Sequence, residues 1–172
     1  MPINLLRSQH LRAEYVFLYI SLGCDSIICM ENTRTLAFFI LALIVSIFIL
    51  NTLANANAWY YNYLRFDDGM HFLGGVFIGL ATLYVYYASS YITPQHTSFI
   101  SRLIIALGGV ALIGIFWEFF EYTLYAYVSP DTATAKLYLT QGLPDTLGDL
   151  FADLSGGVFS TILFSTLWHK KT

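Results

Sequence analysis

One histidine and seven carboxylates of this chain stand inside or at the mouths of long apolar segments: Asp67, Asp68, His71, Glu118, Glu121, Asp145, Asp149 and Asp153. The chain has only eleven acidic residues in all, so most of its negative charge lies where charge is expensive. A carboxylate at the centre of a bilayer costs about 3 kcal/mol on insertion scales, and such residues usually face a bundle interior and mark function. Hard oxygen donors with one imidazole suit Mg²⁺, Mn²⁺ or Ca²⁺, and Zn²⁺ or Fe²⁺ less well. The candidate metal ligands are therefore Glu118, Glu121, Asp149, Asp153 and His71. His71, Glu118 and Glu121 are also the candidates for acid–base catalysis. Asp67, Asp68 and Asp145 carry less weight, because they stand at helix starts, where capping and the helix dipole favour aspartate.

The elements that must position these groups are helices. Of 172 residues 57% are hydrophobic and 11% charged, against about 25% charged in soluble domains. This is a membrane composition. Four apolar runs, near 36–54, 70–92, 103–128 and 147–168, are long enough to cross a hydrocarbon core, which takes about 20 helical residues. The fold expected is an all-α bundle of four transmembrane helices, a single domain over 36–172 behind an N-terminal tail over 1–35. Pro94, Pro130 and Pro144 are expected in the connections. The first run ends in Ala54-Asn55-Ala56, a pattern typical of signal cleavage, but its apolar stretch is longer than a signal core, which favours a retained helix.

Residues 1–29 read as an over-extended gene start or a tail, because Met30 opens a fresh charged segment followed by a clean membrane run. Cys24 and Cys29 lie in that stretch and offer no disulfide framework. A cytoplasmic N-terminus places Arg7, Arg12, Arg34, Arg102, Lys170 and Lys171 inside and only Arg65 and Lys136 outside. The positive-inside rule thus puts both ends in the cytoplasm, and the expected location is the bacterial inner (plasma) membrane. Trp59, Tyr60, Tyr61, Tyr63, Tyr122, Tyr125 and Tyr127 fit an outer aromatic belt, and Tyr84, Tyr86, Tyr87, Tyr91 and Trp168 an inner one. A net charge of −3 and the lack of a Lys/Arg-rich patch exclude a nucleic-acid partner.

Spacing collects the acids. Asp67 and Asp68 precede His71 by four and three residues, so the three can share one helix face. Gly74, Gly75 and Gly79 continue that face without side chains, which invites close approach by another helix, and Gly75-x-x-x-Gly79 offers a contact face for a homodimer. Glu118 and Glu121 are spaced i, i+3 below Ala111 and Gly114. Ten residues separate Glu118 from Val128, about 15 Å of helix, so it falls near the midplane of a core about 30 Å thick. Asp145, Asp149 and Asp153 drift about 40° per step and form one stripe, extended by Gly156 and Gly157. Three acidic, small-residue faces pointed at one another make an outward-facing carboxylate pocket. Arg65 is the one obvious local cation, so desolvation and mutual repulsion prevent all the acids from being ionised unless the pocket holds protons or a metal.

The segments Phe66-Asp67-Asp68-Gly69-Met70-His71-Phe72, Phe116-Trp117-Glu118-Phe119-Phe120-Glu121-Tyr122 and Thr140-Gln141-Gly142-Leu143-Pro144-Asp145-Thr146-Leu147-Gly148-Asp149 resemble the YjdF-like family of small bacterial inner-membrane proteins. More distantly the pattern is similar to VanZ-like proteins, which are associated with glycopeptide-antibiotic tolerance. Pro144 stands where the YjdF-like family often has tryptophan. The resemblance implies the fold and the membrane location, and no chemistry.

Three functions fit these observations. The first is binding or transport of a cation or protons in the acidic pocket. The second is a metal-dependent enzyme acting on a lipid or cell-wall precursor at the outer leaflet. The third is a membrane scaffold whose acids pair with a partner's cations.

Overall fold

The computed structural model describes residues 34–63, 65–89 and 97–168. The tail with Cys24 and Cys29, the last residues of the second expected span with Tyr91 and Pro94, and the C-terminal lysines lie outside the described residues. Met1–Ala37 is a unit of its own, of which only residues 34–37 are described.

Four helices are long and apolar enough to cross a membrane: α1 over Arg34–Ala56, and spans at Phe66–Ala88, Phe99–Val128 and Leu143–Thr166. The all-α expectation holds, with no strand among the described residues. A short α2, Trp59–Asn62, leads into α3, Phe66–Ser89. Helix α4, Phe99–Thr123, is capped by the Ser98 side chain and runs on as a π-helical turn, Leu124–Val128. A further short helix, α5 (Ala133–Gln141), precedes α6 (Leu143–Trp168).

Two expectations about the ends need correction. The second, third and fourth spans begin about four residues earlier than hydropathy suggested, because polar first-turn residues still join the helix. Asp67, Asp68 and Asp145 lie within first turns, at the helix starts expected for them. Pro144 is the second residue of α6, not a connector; a first-turn proline gives up an N–H that has no helical partner anyway.

Helices α3, α4 and α6 pack on one another, with α3 and α6 running one way and α4 the other. The α3–α6 contact is close enough that glycine is required. A Cβ on Gly75 would collide with the Asp153 carbonyl, and one on Gly156 with the Phe72 carbonyl oxygen. A Cβ on Gly79 would meet Ser160 Oγ. The Gly75-x-x-x-Gly79 face is therefore occupied by α6 of the same chain and is not available to a second copy.

The bundle is inside-out relative to a water-soluble protein. Phe48, Phe116, Phe119 and Phe151 are exposed, whereas His71, Arg102, Glu118, Asp149 and Asp153 are buried. A lipid surround gives apolar side chains no reason to hide and makes polar ones converge. Behind the acids the three-helix core is apolar, with Leu80, Leu83, Ala106, Val110 and Phe164 buried. Tyr87 stacks on Phe164 there at 5.5 Å between centroids. At the far end the Arg102 guanidinium donates to Ser165 Oγ and to the Thr97 carbonyl, each at 3.1 Å, tying the start of α4 to the end of α6.

The close α3–α6 approach is testable by steric substitution. Gly156→Ala is expected to cost about 1–3 kcal/mol through overpacking. Gly108→Ala, where a Cβ meets nothing within 4 Å, is expected to be neutral or slightly stabilising. Thermal unfolding in detergent reads the difference, and equal effects would contradict the packing described.

Candidate functional site

The starts of α3 and α6 and the end of α4 meet around His71. Its burial comes from position: one turn into α3, on the side that faces both other helices, with only 6% of its surface exposed. Four carboxylates surround the ring. From Nε2 the distances are 3.9 Å to Asp67 Oδ1, 4.0 Å to Glu121 Oε2 and 3.9 Å to Asp149 Oδ1. From Nδ1 the distance is 3.5 Å to Asp153 Oδ2. The two ring nitrogens thus face different groups.

Each helix delivers its share through its own periodicity. On α3, Asp67 stands four residues before His71 and reaches the same side of the helix. On α4 the buried stripe is Arg102, Ala106, Val110, Gly114 and Glu118, a four-residue step, with Glu121 beside it. On α6, Asp149 and Asp153 are one turn apart and both face inward.

Of the eight expected residues, six converge: Asp67, His71, Glu118, Glu121, Asp149 and Asp153. Two ligand triads have donor atoms mutually within 4.8 Å, Asp67–His71–Asp149 and His71–Glu118–Glu121. Asp68 and Asp145 are turned to other partners. Asp68 accepts from Arg65 Nε at 2.7 Å on the exposed edge, and Asp145 accepts from Gln141 Nε2 at 3.0 Å. Arg65, the one local cation in the sequence, is thereby spent on the rim and neutralises none of the buried acids.

The buried carboxylates are short of partners. Both oxygens of Glu118, both of Asp149 and Oε2 of Glu121 are buried without a hydrogen-bond partner of good geometry among the described residues. Buried polar atoms are rarely left in this state, and each instance calls for an explanation such as a bound ion. Burying a carboxylate unpaired is more costly still. Either triad could hold a cation, Asp67–His71–Asp149 or His71–Glu118–Glu121, and the two share only His71; oxygen donors with one imidazole suit a hard divalent ion.

Residues 13–171 match the family model described as "Predicted membrane protein (DUF2238)". The chain belongs to that family of predicted membrane proteins. No curated protein and no solved structure matches it.

In this DUF2238 protein the sequence placed Tyr60 and Tyr125 in an outer aromatic belt rather than beside the cluster, and Tyr138 was not singled out. Tyr60 on α2 donates to Asn51 Oδ1 on α1 at 2.7 Å. Burial first, and then the nearby Asp67 and Glu121 carboxylates, push its phenol above the ordinary value. Tyr138 on α5 is pushed up likewise, by burial and then by Glu118 and Glu121. Both phenols stay protonated across the physiological range, as hydrogen-bond donors beside the acids. Tyr138 also packs on Tyr125 of the π-helical turn, at 4.9 Å between centroids. Only the number of tyrosines flanking the acids hinted at this; the turn of the chain between α4 and α6 that returns Tyr138 has no local sequence signature.

Uncompensated burial has a measurable consequence. Glu118→Gln and Asp149→Asn are expected to raise the stability of metal-free protein, by on the order of 1 kcal/mol each, because they remove buried charge. Asp68→Asn, on the exposed rim, is expected to stay within about 0.5 kcal/mol of the parent. Thermal melts in chelator check both, and a loss of stability in the two buried variants would contradict the account.

Proposed function

We propose that this protein is a multi-pass membrane protein that binds one divalent cation in an acidic pocket formed by α3, α4 and α6. His71 is common to the two ligand triads, Asp67–His71–Asp149 and His71–Glu118–Glu121, so the ion lies beside its ring with carboxylates of one triad or the other as ligands. The observation that carries this reading is the group of buried oxygens of Glu118, Glu121 and Asp149 that lack a hydrogen bond of good geometry and converge on one imidazole. Charge bias in the connections favours an outward-facing pocket in the bacterial inner membrane, with both chain ends cytoplasmic. The motifs that resemble YjdF-like proteins are the segments carrying these residues.

Within this reading, metal-dependent chemistry at one membrane face is favoured over passage of the ion across the bundle. The support is the apolar packing behind the site. Leu80, Leu83, Ala106, Val110 and Phe164 are at most 1% exposed. The hydroxyls of Ser160 and Thr161 are both bonded to the Gly157 carbonyl, at 2.7 and 3.0 Å. No charged group lies between the acids and Arg102 among the described core residues. A bound metal would supply Lewis-acid chemistry there, which suits a lipid or cell-wall precursor presented at the outer leaflet as substrate.

Purified protein is expected to carry Mn²⁺ or a similar divalent ion at one equivalent per chain, measured by elemental analysis after dialysis. His71→Ala is expected to lose it, as is Asp149→Asn or Glu118→Gln according to the triad that holds the ion, while Asp68→Asn keeps it. Affinity is expected to fall as pH is lowered, because protons compete for the carboxylates and the imidazole. Absence of stoichiometric metal after loading, or retention in the His71→Ala protein, would overturn the reading.

A further inference from the structure

Asp153 stands apart from the other acids in where it lies and in how it is held. It alone faces Nδ1 of His71, at 3.5 Å, whereas Asp67, Glu121 and Asp149 face Nε2. It belongs to neither ligand triad. The fully buried oxygens lacking a hydrogen bond of good geometry are those of Glu118, Glu121 and Asp149, whereas the Asp153 side chain keeps 10% of its surface exposed. Its carboxylate is also built into the helix packing. A Cβ on Gly114 would lie 2.7 Å from Asp153 Oδ2, and one on Gly74 would lie 3.8 Å from Oδ1. A Cβ on Gly75 would strike the Asp153 carbonyl itself. Glycines on two helices leave a slot that this carboxylate fills.

The geometry points to Asp153 as a positioning residue that holds the proton on His71 Nδ1 and thereby presents Nε2, unprotonated, to the cation. The inference rests on the metal-binding reading above and deepens it by separating a ligand set from a support. A metal-bound histidine ordinarily donates its other ring N–H to a carboxylate or carbonyl, which fixes tautomer and ring orientation. The sequence spacing placed Asp153 among the ligands because it shares a stripe with Asp149. One further turn along α6 carries it past Nε2 to the opposite nitrogen.

Two readouts on the full-length protein in detergent test the assignment. In Mn²⁺ titrations, Asp153→Ala is expected to weaken binding by about 10–100-fold, the usual cost of losing a supporting partner. Asp153→Asn, whose Oδ1 still accepts from Nδ1–H, is expected to recover part of that loss. Gly114→Ala is expected to weaken binding similarly while leaving every acid in place, by crowding the carboxylate out of its slot. Wild-type affinity in Asp153→Ala, or a loss as complete as in His71→Ala, would overturn the assignment.

The second readout is ¹⁵N NMR of His71 in metal-free protein. A protected Nδ1–H is expected in the parent and its loss in Asp153→Ala. An unprotonated Nδ1 in the parent, or a signal that survives in Asp153→Ala, defeats the assignment whatever the metal result. Failure of the parent to bind Mn²⁺ with the Asp153-dependent Nδ1–H intact would defeat the metal reading alone.

Discussion

Negative charge removed from water must be compensated, and the bundle is arranged around that requirement. Five oxygens of Glu118, Glu121 and Asp149 are buried with no hydrogen bond of good geometry among the described residues. The one basic group among them is the imidazole of His71. A single imidazole, even charged, cannot balance four carboxylates at 3.5–4.0 Å. Taking ions out of water costs several kcal/mol each after relaxation, and only excellent pairing offsets it. The cation proposed above, or protons, would supply the missing compensation.

Packing serves the same requirement. Helices α3 and α6 approach until glycine is the sole residue that fits at Gly75 and Gly156, and this proximity brings Asp149 and Asp153 to opposite sides of one ring. The apolar core behind the acids seats the three helices, while the phenols of Tyr60 and Tyr138 border the cluster. The buried stripe of α4 carries an acid at one end and Arg102 at the other. Sixteen residues, about 24 Å of helix, keep the guanidinium from neutralising Glu118. The charge separation along α4 is therefore preserved rather than cancelled.

The four spans and the convergence of Glu118, Glu121, Asp149 and His71 were legible in the sequence. Long apolar runs report lipid exposure directly, and an acid deep in such a run has few places to point. Rim residues were harder to assign, because helical spacing fixes a face and not a partner. Asp67 and Asp68 are adjacent in sequence, yet Asp68 pairs with Arg65 while Asp67 lies 3.9 Å from His71 Nε2. Arg65 has φ +67° just before α3, a conformation that spacing does not announce. Arg102 was counted only among the cytoplasmic charges, although its four-residue spacing with Ala106, Val110, Gly114 and Glu118 marked it as part of the buried stripe. Helices α2 and α5 are too short for a hydropathy signal, so Tyr138 and its neighbourhood were invisible. The two sides of the imidazole were likewise beyond a one-dimensional pattern.

The central claim is that one divalent ion sits on the Nε2 side of His71, bound by the carboxylates of one of the two triads. A structure of Mn²⁺-loaded protein with anomalous scattering tests it most directly. One strong anomalous peak is expected, bonded to His71 Nε2 and to oxygens of Asp67 and Asp149 or of Glu118 and Glu121. Density elsewhere, or none at saturating Mn²⁺ with the carboxylates still unpartnered, would contradict it.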